Sequence, residues 1–311
     1  MNDVLDDILD TVELKAALYF WGDFRPPFGL RVPAFENAAR FHLNIAGECV
    51  VELGDGQNVR LHAGDLVLVP NGAAHRILGT PDDPCMPLDE AYTVAGFTGD
   101  GPFLLGNGPP DAACQLICGH FDFAAGADHP LLHAVPELLH ITAADRATQS
   151  LLDDLVGLIS QRMIAGGAGA MASVTRLSEA LFIEILRFVT AKHPMMTTMM
   201  RAITDPQIGH ALRLIHNDIA KGWTVESLGS AVGMSRSRFA ERFRELVGTT
   251  PMGYIAEWRL QRALRLLRGQ RASVKSVATQ IGFQSAAAFT RAFAARFGHP
   301  PTHLDRTSAT D

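Results

Sequence analysis

A single pattern occurs twice in the C-terminal third of the chain, and it constrains the fold more than any other feature. The segment TVESLGSAVGMSRSRFAERFRELVGTTP (224–251) matches SVKSVATQIGFQSAAAFTRAFAARFGHPP (273–301). The matched positions are 49 residues apart in the first half and 50 apart in the second: Leu228/Val277, Gly233/Gly282 and Met234/Phe283, then Ser235/Ser285, Phe239/Phe289, Phe243/Phe293 and Gly248/Gly298. A self-similar segment at a fixed spacing is one supersecondary unit used twice.

The first half of each copy predicts a short helix followed by a tight turn. Thr224 and Ser273 are typical N-cap residues. Ser227 stands where a capping box usually has Glu or Gln, so we expect no full capping box at Thr224. Gly233 and Gly282 can adopt the left-handed conformation that ends the first helix.

The second half of each copy predicts a longer helix with one buried face. Ser235 and Ser285 can cap it, and Gly248 and Gly298 can end it. Its apolar residues recur at i, i+4 and i+8, which places them on the same face: Phe239, Phe243 and Val247 in the first copy, Phe289, Phe293 and Phe297 in the second. Two helices joined by such a turn are typical of a DNA-binding helix-turn-helix, with a simple helical hairpin as the alternative.

One long helix, PMGYIAEWRLQRALRLLRG (251–269), is predicted between the two copies. Its apolar side comprises Tyr254, Trp258, Leu260, Ala263, Leu264 and Leu267, and its basic side comprises Arg259, Arg262, Arg265 and Arg268. At 1.5 Å per residue it spans roughly 27 Å. That length can hold two recognition helices near the spacing of about 34 Å between successive major grooves.

The formal net charge of −6 hides a division of charge along the chain. Residues 205–311 contain 15 Lys and Arg against 8 Asp and Glu, a net charge of +7. Residues 1–204 contain 12 against 25, a net charge of −13. The C-terminal part is therefore suited to a polyanionic partner, and the rest of the chain is not.

Residues from about 205 to 305 resemble the DNA-binding domain of the AraC/XylS transcription regulators. The resemblance rests on the two repeated segments and on RLQRALRLL (259–267) between them. It implies two helix-turn-helix units in one chain, joined to a sensor and dimerisation domain. The expected partners are double-stranded promoter DNA, a second copy of the chain, a small-molecule or oxidant effector and, for an activator, RNA polymerase.

The helical periodicity also predicts which residues face DNA. With the phenylalanines inward, the outward positions are Ser237, Glu241 and Arg244 in the first unit and Ala287 and Arg291 in the second. Arg291 can pair with guanine or phosphate, Ala287 can touch a thymine methyl, and Glu241 can accept from cytosine or remain solvated. The flanking residues expected to contact phosphates are Arg236, Arg238, Gln284 and Thr290, and the cap residue Ser285 belongs to the same DNA-facing set.

Residues 25–125 alternate apolar and turn segments, which predicts a β-rich domain. The sequence GDLVLVPNGAAH (64–75) resembles the second motif of the cupin barrel, with Gly64, Pro70, Gly72 and His75 in place. The first cupin motif matches poorly, because Arg40 stands where metal-dependent cupins have Glu. The resemblance therefore implies a cupin-type sensor, and an ordinary cupin metalloenzyme is the weaker alternative.

Four residues are candidates for sensing inside this domain. His42 and His75 could both face the barrel interior, and strand alternation places Cys114 and Cys118 on one side of a strand. His42, His75 and Cys118 could hold a zinc ion, or the thiols could sense oxidants. The remaining alternative is that the cysteines pack as small apolar residues beside a hydrogen-bonded histidine. No cofactor is certain, and zinc is the possible one.

Together these patterns predict an α+β chain of two domains: an N-terminal cupin-like β-barrel with trailing helices, and an all-α domain of two helix-turn-helix units. The predicted boundaries are 1–192 for the sensor (barrel about 10–135, helices about 144–192), 193–206 for a linker and 207–311 for the DNA-binding domain. An apolar stripe at Leu177, Leu181, Ile185 and Phe188 could pack on the barrel or form a dimer seam.

The N-terminus MNDVLDDILD is acidic and lacks the basic start and apolar run of a secretion signal, and no apolar stretch is long enough to span a bilayer. We therefore predict a cytoplasmic protein with no membrane partner. The leading function is a sequence-specific transcription regulator that is not an enzyme. The alternatives are a cupin enzyme with a DNA-binding appendage and a nonspecific architectural DNA-binding protein.

Overall fold

In a computed structural model, which describes residues 3–99, 101–132, 136–192, 198–269 and 272–304, the chain forms two compact units. The β-rich unit comprises residues 14–123 and 135–192. The helical unit comprises residues 1–13, 124–134 and 193–311. The predicted boundary at residue 192 is close, but two segments assigned to the sensor by sequence, 1–13 and 124–134, pack with the helical unit instead.

Two antiparallel-rich sheets form the β-rich unit. Its strands are β1 (Lys15–Phe24), β2 (Gly29–Val32), β3 (Ala38–Ala46), β4 (Cys49–Leu53), β5 (Asn58–Leu61), β6 (Leu66–Val69), β7 (His75–Leu78), β8 (Met86–Pro87), β9 (Pro102–Leu105), β10 (Cys114–Asp122) and β11 (Leu139–Ile141). The strand orders are β11-β6-β3-β10-β1-β9 and β5-β4-β7-β2-β8. Both sheets contribute apolar side chains to one core. The predicted barrel is therefore an open two-sheet arrangement, because hydrogen bonding between the described strands stops at the edges of each sheet.

Four described helices belong to this unit, and the last of them packs on the outer face of the larger sheet. Helix α2 (Leu88–Ala95) follows β8, and α3 (Ala143–Arg146), α4 (Ser150–Ala165) and α5 (Ala170–Lys192) follow β11. Phe182 of α5 packs on Phe121 of β10, with ring centroids 4.7 Å apart. The apolar stripe of α5 is buried in the same unit, with Leu181, Ile185 and Phe188 almost inaccessible. The stripe therefore packs on the sheet, and it is not available as the dimer seam considered above.

The helical unit contains eight described helices: α1 (Val4–Thr11), α6 (Thr198–Thr204), α7 (Ile208–Asn217), α8 (Val225–Ala231), α9 (Arg236–Val247), α10 (Pro251–Gly269), α11 (Val274–Gln280) and α12 (Ala286–Phe297). Much of the predicted linker 193–206 is thus helix α6, whose Met199 and Met200 are buried. Residues 193–197 of that linker lie outside the described residues. Burial of the two methionines gives the segment a packed structure, and the linker prediction needs this correction.

The repeat predicted from sequence is confirmed in the backbone. Helices α8 and α11 each have 7 residues, and α9 and α12 each have 12. The turns are closed by Gly233 and Gly282, whose φ angles are +69° and +84°. The expectation at Thr224 was wrong, because a capping box is present. The Ser227 hydroxyl accepts from the Thr224 amide at 2.9 Å, and the Thr224 hydroxyl accepts from the Ser227 amide at 3.0 Å.

Helix α10 joins the two repeats by packing a different half against each. Tyr254, in its first half, contacts Phe243 of α9, with ring centroids 5.8 Å apart. Its second half contributes Leu260, Leu264 and Leu267 to the core of the second repeat, together with Ala263. The spacer role predicted for this helix is thereby supported by side-chain packing at both ends.

Candidate DNA interface and sensor core

The exposed side of α9 carries the residues predicted to face DNA. Ser235 caps the helix by accepting from the Arg238 amide at 3.4 Å, so α9 starts at Arg236. Phe239 and Phe243 are fully buried on the opposite side. This inward anchoring leaves the predicted set solvent-exposed: Arg236, Ser237, Arg238, Glu241 and Arg244.

Helix α12 repeats the arrangement with a less polar surface. Ala287 and Arg291 are exposed, Thr290 is half-buried, and Gln284 is exposed in the turn. Ser285 is also exposed, and its hydroxyl accepts from the Ala288 amide at 3.1 Å. That hydrogen bond makes Ser285 the N-cap of α12, so its primary role is to start the helix that presents Arg291.

The arginines of α10 make contacts within the helical unit. On α10, Arg262 and Arg265 form ion pairs with Asp7 and Asp10 of α1. Other α10 and α12 arginines are also engaged: Arg259 donates to backbone carbonyls at 219 and 221, Arg268 to the carbonyl of residue 125, and Arg296 to Asp128 and Glu257.

On α9 and α12, by contrast, four arginines are unpaired among the described residues: Arg236, Arg238, Arg244 and Arg291. Within the described ranges their side chains make no ion pair or hydrogen bond, and all four are exposed. The cations that remain free for an anionic partner thus include those on the two predicted recognition helices. On the basic side of α10, however, Arg262 and Arg265 are paired with carboxylates, and Arg259 and Arg268 donate to backbone carbonyls.

A column of polar side chains lies inside the β-rich unit. On β3 the side chains of Arg40, His42 and Asn44 point to the same face, since they are two residues apart. They pair in register with His120, Cys118 and Leu116 of β10. The column is buried among apolar residues of both sheets.

His42 and Cys118 of this column form one hydrogen-bonded chain with His75 of β7. His75 Nδ1 donates to the carbonyl of Ala73 at 2.8 Å, so its Nε2 accepts from His42 Nε2 at 2.8 Å. His42 Nδ1 is then an acceptor, and the Cys118 thiol donates to it at 3.0 Å. The structure thus brings His42, His75 and Cys118 together. Cys114 lies apart from them, where its thiol donates to Asn44 Oδ1 at 3.7 Å.

Every member of this chain is held in its neutral form. Burial lowers the pKa of His42 well below its ordinary value and that of His75 to about 4. Burial also raises the pKa of the Cys118 thiol. A hydrogen bond with Cys49, together with burial, raises the pKa of Cys114. Because the thiolate is the reactive form, both thiols are poorly reactive at neutral pH.

We correct the predicted zinc site to a hydrogen-bonded chain. Two nitrogen ligands of a tetrahedral zinc ion lie about 3.3 Å apart, whereas the Nε2 atoms of His42 and His75 are in direct contact at 2.8 Å. Among the described residues, no group of three or more His, Cys, Asp or Glu side chains is arranged to hold a metal ion.

Comparison with known proteins decides the family. Residues 3–191 match the family profile described as Cupin, and residues 228–307 match the profile described as Helix-turn-helix domain. The chain is an AraC-type transcription regulator with an N-terminal cupin domain. An AraC-type domain binds double-stranded DNA, which agrees with the free cations on α9 and α12.

Similar regulators occur in several bacteria. The HTH-type transcriptional regulator AlkR of Acinetobacter baylyi is 29% identical over 98% of this chain and 100% of that protein. An AraC-like transcription regulator of Streptomyces lividans is 28% identical over 96% of both chains. An HTH-type transcriptional regulator of Haemophilus influenzae is 30% identical over 81% of both chains. All three relatives are named as transcription regulators.

Within the described ranges, no helix of the AraC-type regulator combines the length and the hydropathy that a bilayer-spanning segment needs.

Sequence reasoning missed a buried polar network in the helical unit of the regulator. The Leu131 amide donates to His129 Nδ1 at 3.1 Å, and His129 Nε2 donates to the Tyr254 hydroxyl at 3.1 Å. That hydroxyl donates to His216 Nε2 at 2.7 Å, and His216 Nδ1 donates to Asp7 at 2.7 Å. The acidic, amphipathic sequence of residues 3–10 indicates a helix that packs on a basic surface. It does not show which residues form that surface, because the partner His216 is 209 positions from Asp7.

Proposed function

We propose that this AraC-type regulator reads promoter DNA in a sequence-specific way through α9 and α12. The observation that carries the proposal is the division among the arginines: those of α10 are engaged inside the unit, while Arg236, Arg238, Arg244 and Arg291 are exposed and free among the described residues. Recognition helices of helix-turn-helix proteins contact base edges through their exposed side chains.

The two helices have different tasks in this proposal. Arg291 is the long donor on the exposed side of α12, where it can bind guanine, and Ala287 beside it lets the helix approach the bases closely. On α9, Arg244, Glu241 and Ser237 face the bases. The flanking side chains hold the phosphate backbone and set the register: Arg236, Arg238, Gln284 and Thr290.

A competition binding measurement tests this proposal. The full chain is titrated with its own upstream DNA and with scrambled DNA of the same length, at one stated ionic strength. Arg291→Ala should weaken binding to the cognate site by about 1–3 kcal/mol and relax the preference at one base position. Arg31→Ala, an equal loss of charge at an exposed position of β2, is the matched control and should change nothing.

Two results would count against these roles. Equal weakening of cognate and scrambled DNA by Arg291→Ala makes Arg291 a phosphate contact and not a base reader. Equal affinity of the unaltered chain for both DNAs removes sequence-specific recognition and favours the architectural alternative.

The β-rich unit is proposed to sense a small molecule rather than an oxidant. A ligand can alter DNA binding only if it binds two states of the protein with different affinity. The raised pKa of buried Cys118 is unfavourable for oxidation, which needs an accessible thiolate. Cys118→Ser distinguishes the two signals: loss of a response to peroxide in this variant would restore the oxidant hypothesis.

The proposed assembly is a homodimer in the cytoplasm, where promoter DNA and RNA polymerase are available. Helix α4 offers the contact surface, since Leu151, Leu158 and Ile164 on it are about half exposed. Apolar side chains of this size are costly to leave in water. Sedimentation of the full chain and of Leu158→Asp tests the surface. A dimer that persists unchanged in Leu158→Asp excludes this helix face.

A further inference from the structure

Arg40 carries a positive charge into the interior of the β-rich unit. Its side chain lies on the inner face of β3, paired in register with His120 of β10 and Val69 of β6. Only 4% of the residue is exposed. A guanidinium keeps its charge in folded proteins, so this burial is costly unless an anion compensates it.

The chain supplies no such anion directly. Among the described residues, the Arg40 guanidinium makes no ion pair or hydrogen bond, and its buried Nε has no partner. Its contacts are aromatic: the guanidinium lies 5.2 Å from the ring centre of Tyr19 and 5.4 Å from that of Phe35. Cation–π contacts of this kind are worth much less than a bidentate carboxylate pair.

Two further buried polar atoms beside Arg40 also lack partners. They are the hydroxyl oxygen of Tyr19 and Nδ1 of His120, whose rings stack with centroids 4.7 Å apart. Asp122 is the nearby carboxylate, but it accepts a hydrogen bond from His120 Nε2 at 2.7 Å and forms no ion pair with Arg40 among the described residues. Because His120 Nε2 donates to Asp122, its Nδ1 is an acceptor, whereas Arg40 Nε and the Tyr19 hydroxyl are donors. Buried polar groups are normally satisfied, so these two unpaired donors point to a bound species that accepts hydrogen bonds.

His42 and His75 add no second positive charge beside Arg40. Burial lowers the pKa of His42 and His75, and the positive charge of Arg40 lowers both further. The imidazoles are therefore neutral at physiological pH. One uncompensated cation selects a monoanion, and the aromatic walls select an apolar body.

We propose that Arg40 binds the carboxylate of a small organic monoanion inside the cupin domain, with the Tyr19 hydroxyl as a second donor. The proposal rests on the small-molecule sensing put forward above, and it names the chemical class of the effector. Phe35, at 45% exposure, lies on the solvent side of the guanidinium, so its ring is the part that a ligand displaces on entry.

The test measures thermal unfolding and calorimetric binding of the full chain with matched probes. Hexanoate and phenylacetate at millimolar concentration should raise the unfolding temperature of the β-rich unit, while the uncharged hexanamide and phenylacetamide should not. Inorganic phosphate separates general anion binding from carboxylate binding. Stabilisation by phosphate alone overturns the proposal, as does equal stabilisation by the amides or no stabilisation by either carboxylate.

The decisive variant is Arg40→Met, with exposed Arg31→Met on β2 as the control. Arg40→Met should weaken carboxylate binding by about tenfold or more. Without ligand it should unfold at the same or a higher temperature than the unaltered chain, because it removes an uncompensated buried charge. The alternative is that Arg40 only stabilises the fold through its contacts with Tyr19 and Phe35. In that case Arg40→Met unfolds at a lower temperature and the unaltered chain binds no carboxylate, which overturns the proposal.

A second variant keeps the proposal testable if Arg40→Met does not fold. Tyr19→Phe removes only the unpaired hydroxyl, so it should weaken carboxylate binding while leaving the ligand-free unfolding temperature unchanged. DNA affinity is measured separately on the same proteins. Failure to bind DNA sequence-specifically refutes the proposed function and leaves the carboxylate result standing, whereas normal DNA binding without a carboxylate response refutes only the present inference.

Discussion

Replacing Asp7 by Asn tests whether the N-terminal helix is an integral part of the DNA-binding unit. Asp7 is 6% exposed, and its two carboxylate oxygens serve different donors. Oδ2 accepts from His216 Nδ1 at 2.7 Å, and Oδ1 is paired with Arg262. In Asp7→Asn the side chain can accept from one of these donors only, and its NH₂ group then faces the other.

The expected cost follows from the burial of the two partners. Losing one partner of a buried ion pair costs about 3–5 kcal/mol, and a hydrogen bond to a charged group is worth about 1.5–3 kcal/mol. His216 is buried, but the Arg262 side chain is 29% exposed, so water can partly solvate its charge. We therefore expect Asp7→Asn to destabilise the helical unit by about 3 kcal/mol.

Urea unfolding measured by tryptophan fluorescence provides the assay. Trp258 is buried in the helical unit, and its ring lies 4.9 Å from that of His216. Trp21, in the other unit, is removed in all samples by Trp21→Phe. The control is Asp6→Asn on the same helix, which is exposed and should change stability by less than about 0.5 kcal/mol. Equal unfolding midpoints for the two variants would show that the Asp7 contacts do not form.

The pH dependence gives an independent check of the same contacts. Burial alone would raise the pKa of Asp7, but the hydrogen bond from His216 and the charge of Arg262 lower it overall. Burial lowers the pKa of His216. Acidification should therefore cost stability first below about pH 6.5, where the unfolded state protonates His216, and again below about pH 4, where the unfolded state protonates Asp7 while the folded state keeps it ionised. Asp7→Asn should abolish the second loss, and a profile of unchanged shape would contradict this assignment.

Two other perturbations test local geometry. Gly282→Ala should destabilise the second repeat clearly more than Gly233→Ala destabilises the first. Both glycines have a left-handed φ, so alanine at either costs about 1 kcal/mol of strain, but only at Gly282 would the Cβ lie 2.4 Å from the carbonyl oxygen of Ala220. Equal unfolding midpoints of the two variants would refute this clash. Cys118→Ala should cost about 1–3 kcal/mol of stability by leaving His42 Nδ1 buried without a donor, and Cys118→Ser, which keeps a donor, should cost less. The unfolding temperature of the β-rich unit, measured for both variants, checks this order. The reverse order would refute the assigned direction of the hydrogen bond.

Much of the DNA-binding part was predictable because its signals are local. The stripe through Phe289 and Phe293, the cap at Ser285 and the glycine at 282 each act within a few residues, and all were confirmed. The missed capping box at Thr224 has a simple cause. A serine hydroxyl can do what a glutamate usually does at that position when its rotamer suits the backbone.

The sensor core was predictable only in part. Strand alternation placed Cys114 and Cys118 on one face of β10, since period two decides which side chains share a face. Only the tertiary structure shows that Cys118 contacts His42 and that Cys114 contacts Asn44. The direction of each hydrogen bond depends on the carbonyl of Ala73. The absence of a partner for Arg40 depends on every described neighbour at once. Neither is visible in a pattern along one strand.

By itself the sequence determined the two repeated units, their helix limits, the family and the exposed faces of α9 and α12, because helix periodicity and capping act over distances of three to five residues. Only the tertiary structure decided which arginines are free, and that residues 1–13 and 124–134 pack with the helical unit. Asp7 and Arg262 are 255 positions apart, and an arginine neutralised by such a contact has the same local sequence pattern as one that is free to bind DNA.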